Sequence, residues 1–264
     1  MFKVLDSILD YSKGDWGEDR IFLSETSVGV IDGSSPISVV PLFGYNSQAE
    51  WLASELSSSI KTNSNLSLPV ICKQTTNQLQ SIIPLNLESK LKPCATFAGV
   101  QVVGDTLTTY VLGDCVILLE FKDGRIVKLT DSRITTFSNL TKQRKLEAER
   151  LGLDIKSVVS TQMSKNRKMM NKQGGFFVVA LDGAYETEFL TKFFLLDDLN
   201  SCLIFSDGFD RMFLNNLLSY ADILNQDISL ATATSLLRTW EESSQFAEVK
   251  KHDDVSAILL SFSC

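Results

Sequence analysis

Carboxylates placed at the ends of apolar runs are the residues of this chain best suited to chemistry. Asp32 with Gly33 closes the run "SVGVIDG", Asp207 with Gly208 closes "CLIFSDG", and Asp253 with Asp254 opens "DDVSAILL". Any one such aspartate is satisfied by a turn, because its side chain hydrogen-bonds nearby backbone. Asp123-Gly124 is of that kind: it lies between two alternating runs and predicts a hairpin. The pairs at 32 and 207 differ, since no strand follows to complete a hairpin. As a set, carboxylates without histidine or cysteine company suit a hard divalent cation, Mg2+ or Mn2+. The single histidine, His252, excludes a multi-histidine zinc site and reads as an exposed loop residue. Acid-base and metal chemistry therefore rest on carboxylates.

The elements that must position them are legible as alternation and punctuation. Residues 2–10 alternate as a strand, and "RIFLSETSVGVIDG" predicts two strands joined at Glu25-Thr26-Ser27. "QAEWLASELSSSIK" sets Trp51, Leu52, Leu56 and Ile60 on one helical face, and "VICKQTTNQLQSII" continues in helical register after Pro69. From 95 to 130 four strand-like runs are punctuated by Gly104-Asp105, Gly113-Asp114 and Asp123-Gly124, which predicts an antiparallel meander. "NLTKQRKLEAERLGLD" predicts a helix stopped at Gly152. "GGFFVVALDG" and "SCLIFSDG" predict short buried strands, 229–246 a long helix, and "DDVSAILLSFS" a final strand. The polar, basic stretch at 157–174 predicts a mobile surface loop. Strands in meanders with grouped helices give an α+β class rather than an alternating parallel sheet.

Composition sets the outer bounds. The chain has 264 residues, 44% hydrophobic and 22% charged, which fits one globular domain over 1–264. A net charge of -7 opposes a nucleic-acid or anionic-membrane partner. The longest apolar runs, such as "FFVVAL", are too short to span a bilayer. Five scattered cysteines without a CxxC pair, and a start lacking a signal pattern, lead us to expect a reducing cytoplasm. A monomer is the expected state.

Read together and in order, "GED" (17–19), "GVIDG" (29–33), "ATFAGV…VLGDC" (95–115), "IFSDGFD" (204–210) and "DDVSAILL" (253–260) resemble the metal-dependent protein Ser/Thr phosphatases of type 2C. Each motif is short, and the resemblance spans nearly the whole chain. "KLTDSR" and "EAERLG" fit the same pattern, and the "DGSSP" form resembles the divergent bacterial branch. The resemblance implies two packed antiparallel β-sheets flanked by helices, an α-β-β-α sandwich. It implies two Mn2+ or Mg2+ ions bridged by Asp32, with the Gly33 carbonyl on one and Asp207 and Asp253 completing the other. Glu18 and Asp19 match the acidic pair that acts through metal-bound waters, and Asp114 matches the aspartate of a third, weaker ion. In such a centre the cations lower the pKa of a bridging water, which attacks phosphorus in line. The implied substrate is a phosphorylated protein, with a kinase as counterpart.

Departures from the pattern are specific. Ser34-Ser35-Pro36 stands where animal members carry histidine after the aspartate-glycine, and Gly14 stands where the phosphate-binding arginine is found. Lys13, one position away, is the candidate substitute, a point charge rather than a bidentate fork. Cys115 replaces the serine of G-D-S, and Asp254 replaces the final asparagine. These changes leave two alternatives beside protein phosphatase: a binding module that has lost turnover, and a phosphatase for a small phosphoester.

Overall fold

Residues buried on both faces dictate the layering. In β4 (Cys94–Val103) every residue from Cys94 to Gln101 is buried, and β10 (Leu199–Phe205) is buried from Ser201 onward. Such strands need cover on both sides of their sheet. The computed structural model describes residues 2–12, 14–34, 39–83, 92–243 and 251–262, and it supplies that cover as a helix–sheet–sheet–helix sandwich. One sheet runs β1 (Phe2–Asp10), β11 (Val255–Phe262), β10, β6 (Val116–Phe121), β7 (Ile126–Leu129). The other runs β2 (Asp19–Leu23), β3 (Ser27–Ser34), β4, β5 (Thr106–Leu112), β9 (Leu190–Leu195), with β8 (Val179–Ala180) also on β4. Neighbouring strands pair antiparallel throughout.

The sheets meet through Val28, Val30, Ala98 and Val111 on one side and Ile117, Cys202, Ile204 and Ile258 on the other. Helices α1 (Gln48–Thr62) and α2 (Leu68–Ile82) cover the second sheet, burying Trp51, Leu52, Leu56 and Ile71 over Phe22, Ile31 and Phe97. Helices α5 (Asp207–Leu214), α6 (Tyr220–Leu224) and α7 (Leu230–Ser243) cover the first, through Phe209, Met212, Leu230 and Leu237. Helices α3 (Thr135–Leu151) and α4 (Ile155–Arg167) form a hairpin whose only buried residues are Thr141, Ala148 and Gln162. Gly152 ends α3 in the left-handed conformation at φ 63°, as its sequence position predicts.

Three sequence expectations are corrected. The stretch at 157–174 is not a loop over its first half: α4 runs to Arg167, started by the Asp154 carboxylate, which accepts the Lys156 N–H. Within "GGFFVVALDG" only Val179–Ala180 is strand; the Val178 N–H instead donates to the Asn171 side chain. His252 lies in the loop before β11, as expected, but is not exposed. It is partly buried, with Nδ1 2.8 Å from Glu241 and Nε2 2.9 Å from Glu242. The end of the helix expected at 229–246 and all of Lys13 lie outside the described residues.

Candidate metal centre

Strand register brings the carboxylates to one end of the sandwich. In the second sheet Asp32 lies directly opposite Asp19 on one side and Thr96 on the other. Asp114 follows the end of β5, after Gly113 turns the chain at φ 84°. In the first sheet Phe205, the last residue of β10, lies opposite Val116 and Ala257, so three strand ends share one level. Asp207 follows that end as the first residue of α5, and Asp253 and Asp254 precede β11. The result is that Asp32, Asp114 and Asp207 hold carboxylate oxygens all within 4.8 Å of one another. Each keeps part of its surface open to solvent.

Backbone packing fixes that convergence. A Cβ on Gly208 would strike the Asp254 carbonyl oxygen, so the glycine after Asp207 permits close approach of α5 to the start of β11. Ser206 and Ser256 lock the same junction: the Ser206 N–H donates to the Ser256 carbonyl at 2.9 Å, and the Ser256 N–H donates to Ser206 Oγ at 3.1 Å. Ser256 Oγ donates to Asp19 at 2.7 Å, tying the two sheets together across the site. The Asp254 carboxylate gathers the loop between β1 and β2. It accepts the Ser12 N–H at 2.8 Å, the Ser12 hydroxyl at 2.7 Å and the Glu18 N–H at 2.6 Å.

No family model matches the sequence, and no curated protein matches it in sequence. Solved structures do match in three dimensions. Stp1, a serine/threonine phosphatase of Staphylococcus aureus, superposes with a TM-score of 0.58 at 16% identity, covering 99% of this chain and 96% of its own. The serine/threonine phosphatase of S. agalactiae superposes at 0.56 and 16% identity, with all of both chains covered. The catalytic domain of the phosphatase PstP, solved with two manganese ions, superposes at 0.55 and 13% identity over 99% of this chain and 97% of its own. This chain has the type 2C phosphatase fold. The α-β-β-α layering expected from the motif order is therefore its architecture.

The acids gathered at this end of the fold hold one another's pKa values up. Burial pushes the Asp32 carboxyl well above its ordinary value, and Asp19, Asp207, Asp253 and Asp114 push it further. Burial likewise raises Asp114 to about 7, with Asp207 adding to it. Asp19 rises to about 7, mainly through burial and against the lowering hydrogen bond from Ser256. Buried acids that raise one another's pKa store repulsion that a bound cation relieves. An all-oxygen, all-carboxylate donor set fits Mg2+ or Mn2+ and not a soft metal.

The remaining candidates surround the trio. Asp19 and Asp253 lie close enough to act on Asp32 electrostatically. The Glu18 side chain is buried, and its carbonyl accepts the Gly33 N–H at 3.2 Å, where a Cβ on residue 33 would also clash. Asp253 is oriented by a residue that sequence reading missed: Arg211 Nη2 lies 3.0 Å from its Oδ2. Arg211 Nη1 in turn lies 3.1 Å from Glu241, which is fully buried and also held by Arg238 at 2.8 Å. The available signal was the spacing of Arg211 one helical turn after Asp207, on the same face of α5. Asp123 sits apart, pairing with Arg125 in its exposed hairpin.

Proposed function

We propose that this chain is a metal-dependent phosphatase acting on phosphoserine or phosphothreonine in proteins. The observation that carries the reading is the convergence of Asp32, Asp114 and Asp207 from separate strand ends. Asp32, the Gly33 carbonyl, Asp207 and Asp253 are the proposed ligands of two Mn2+ or Mg2+ ions. Glu18 and Asp19 act through water, and Asp114 serves a third ion. Such ions, when bound, supply an activated water and offset charge on the phosphoryl oxygens. The chain's own part is placement. Ser256 holds Asp19, Arg211 holds Asp253, and Asp254 holds the loop that leads from β1 into Glu18. Lys13, which follows Ser12 in the sequence, is the proposed phosphate contact. Persistence of the three core aspartates of the motif pattern, Asp32, Asp207 and Asp253, favours turnover over a decayed binding module. The counterpart in a cell is a protein Ser/Thr kinase; a monomer in a reducing compartment suits the buried free cysteines.

The test is hydrolysis of a generic aryl phosphate and of a phosphoserine peptide with Mn2+, with Mg2+ and with chelator. Turnover of both substrates that stops on chelation and returns with Mn2+ is expected. Undiminished turnover after exhaustive metal removal would overturn the reading. Turnover of phosphorylated metabolites in preference to any phosphopeptide would redirect it to a small phosphoester.

A further inference from the structure

The α3–α4 hairpin has a charge opposite to that of the rest of the molecule. From Arg133 to Lys172 the sequence carries ten Lys or Arg against three Asp or Glu, in a chain of net charge -7, so the remainder carries -14. Some of these cations are locally satisfied: Arg133 pairs with Asp131 and Glu188, Arg144 with Glu147, Lys145 with Glu149. Arg150, Lys156, Lys165, Lys168 and Lys172 are exposed and make no ion pair among the described residues. Lys156 and Lys165, nine residues apart, lie on opposite sides of α4, so the basic ridge is the cluster of Lys165, Lys168 and Lys172 at the C-terminal end of that helix.

The ridge begins at the rim of the metal centre. Arg167, at the end of α4, donates to the Ser34 carbonyl at 3.3 Å and to the Lys92 carbonyl at 3.0 Å. Ser34 ends the strand that carries Asp32. Lys165 and Lys168 flank that anchor, and Lys172 follows within five residues of it in sequence.

We propose that this ridge binds an acidic segment of the protein substrate that flanks the phosphorylated side chain. The inference rests on the phosphatase reading and names its substrate class. Acidic segments are repelled by the rest of this surface and attracted here, so the field both steers and orients them. A charged ridge that leads up to a phosphate-handling site also lengthens the contact beyond the phosphate itself, which lowers dependence on the missing arginine.

Binding is read directly, by fluorescence anisotropy of the whole chain with Mg2+ and peptides carrying a non-hydrolysable phosphonate in place of phosphoserine. One peptide has acidic residues on the flank and the other has glutamine there. The acidic peptide is expected to bind about tenfold tighter at low salt, an advantage that shrinks as ionic strength rises. A Lys165→Gln, Lys168→Gln, Lys172→Gln variant, chosen for exposed positions that tolerate glutamine, is expected to lose most of that advantage. Its circular dichroism and its aryl phosphate turnover should stay within about twofold of the parent, since none of the three touches the proposed centre. Equal binding of the two peptides overturns the proposal, as does an advantage that survives the triple variant. Tighter binding of a charge-matched oligonucleotide than of the acidic peptide also overturns it. Absence of aryl phosphate turnover counts against the phosphatase reading alone, because the binding comparison needs no turnover.

Discussion

Asn in place of Asp207 keeps side-chain shape and turn propensity while removing the charge that a divalent cation needs. A turn residue would tolerate the change; a ligand would not. For Asp207→Asn we expect Mn2+-dependent turnover to fall on the order of 100-fold, the scale of losing one preorganised electrostatic contact, with the fold retained. The check is melting with and without Mn2+: the parent should gain stability from the ion and the variant less. Asp123→Asn is the matched control. Its carboxylate pairs with Arg125 on an exposed hairpin, where such a pair is worth little, so turnover and melting should be unchanged. Asp254→Asn tests a different role. Three donors converge on this carboxylate, two on Oδ1 and one on Oδ2. Asparagine must turn its NH2 toward one set of donors, leaving a buried N–H facing another donor at a cost of about 1–3 kcal/mol. Urea unfolding should show that loss, and an unchanged midpoint would refute the account. The aspartates themselves were legible in the sequence, because each ends or begins an apolar run. Arg211 was not, since its spacing from Asp207 is only a weak local signal and its partner Asp253 lies far along the chain.

Among elements, the junction of β10, α5 and β11 is the one on which the centre depends. Gly208 lies inside α5, where alanine is intrinsically favoured by about 1 kcal/mol. Here the added methyl would meet the Asp254 carbonyl, and forcing extra volume into a packed junction costs about 1–3 kcal/mol. The collision with backbone outweighs the propensity gain, so Gly208→Ala should lower the urea midpoint and weaken Mn2+ binding together. A stabilised variant would show that the junction yields. The same contrast explains which elements were readable. β4, β5, β6 and β7 were separated by Gly and Asp turns, and α1 carries an apolar stripe of Trp51, Leu52, Leu56 and Ile60. Helix α4 buries a single residue, Gln162, so it has no stripe to read and looks like a polar loop. Strand β9 is an edge strand, largely exposed from Leu190 to Leu195, and has no alternation of buried and open faces to announce it.

At the scale of the whole molecule, two sheets deliver acids to one end, and no single stretch of sequence reveals their distance from each other. Order along the chain was enough to suggest the set; register was needed to place Asp32 opposite Asp19 and near Asp114 and Asp207. That crowding has a pH signature. Asp19 and Asp114 titrate near 7 in the fold, against an ordinary value of 3.8. Between those values the folded chain binds protons that the unfolded chain does not, so these groups favour folding increasingly as pH falls. Above about 7 their repulsion is fully expressed and the metal-free fold is at its weakest from this source. We therefore expect the metal-free melting temperature to rise by a few degrees from pH 8 to pH 5.5. Mn2+ should reverse the ordering. At pH 8 it meets ionised carboxylates and stabilises strongly, whereas at pH 5.5 it must displace protons and stabilises less. Differential scanning fluorimetry at the two pH values, with Mn2+ and with chelator, measures all four conditions. A metal-free melting temperature that falls on acidification, or an equal Mn2+ gain at both pH values, would show that the acidic cluster does not govern stability as its geometry implies.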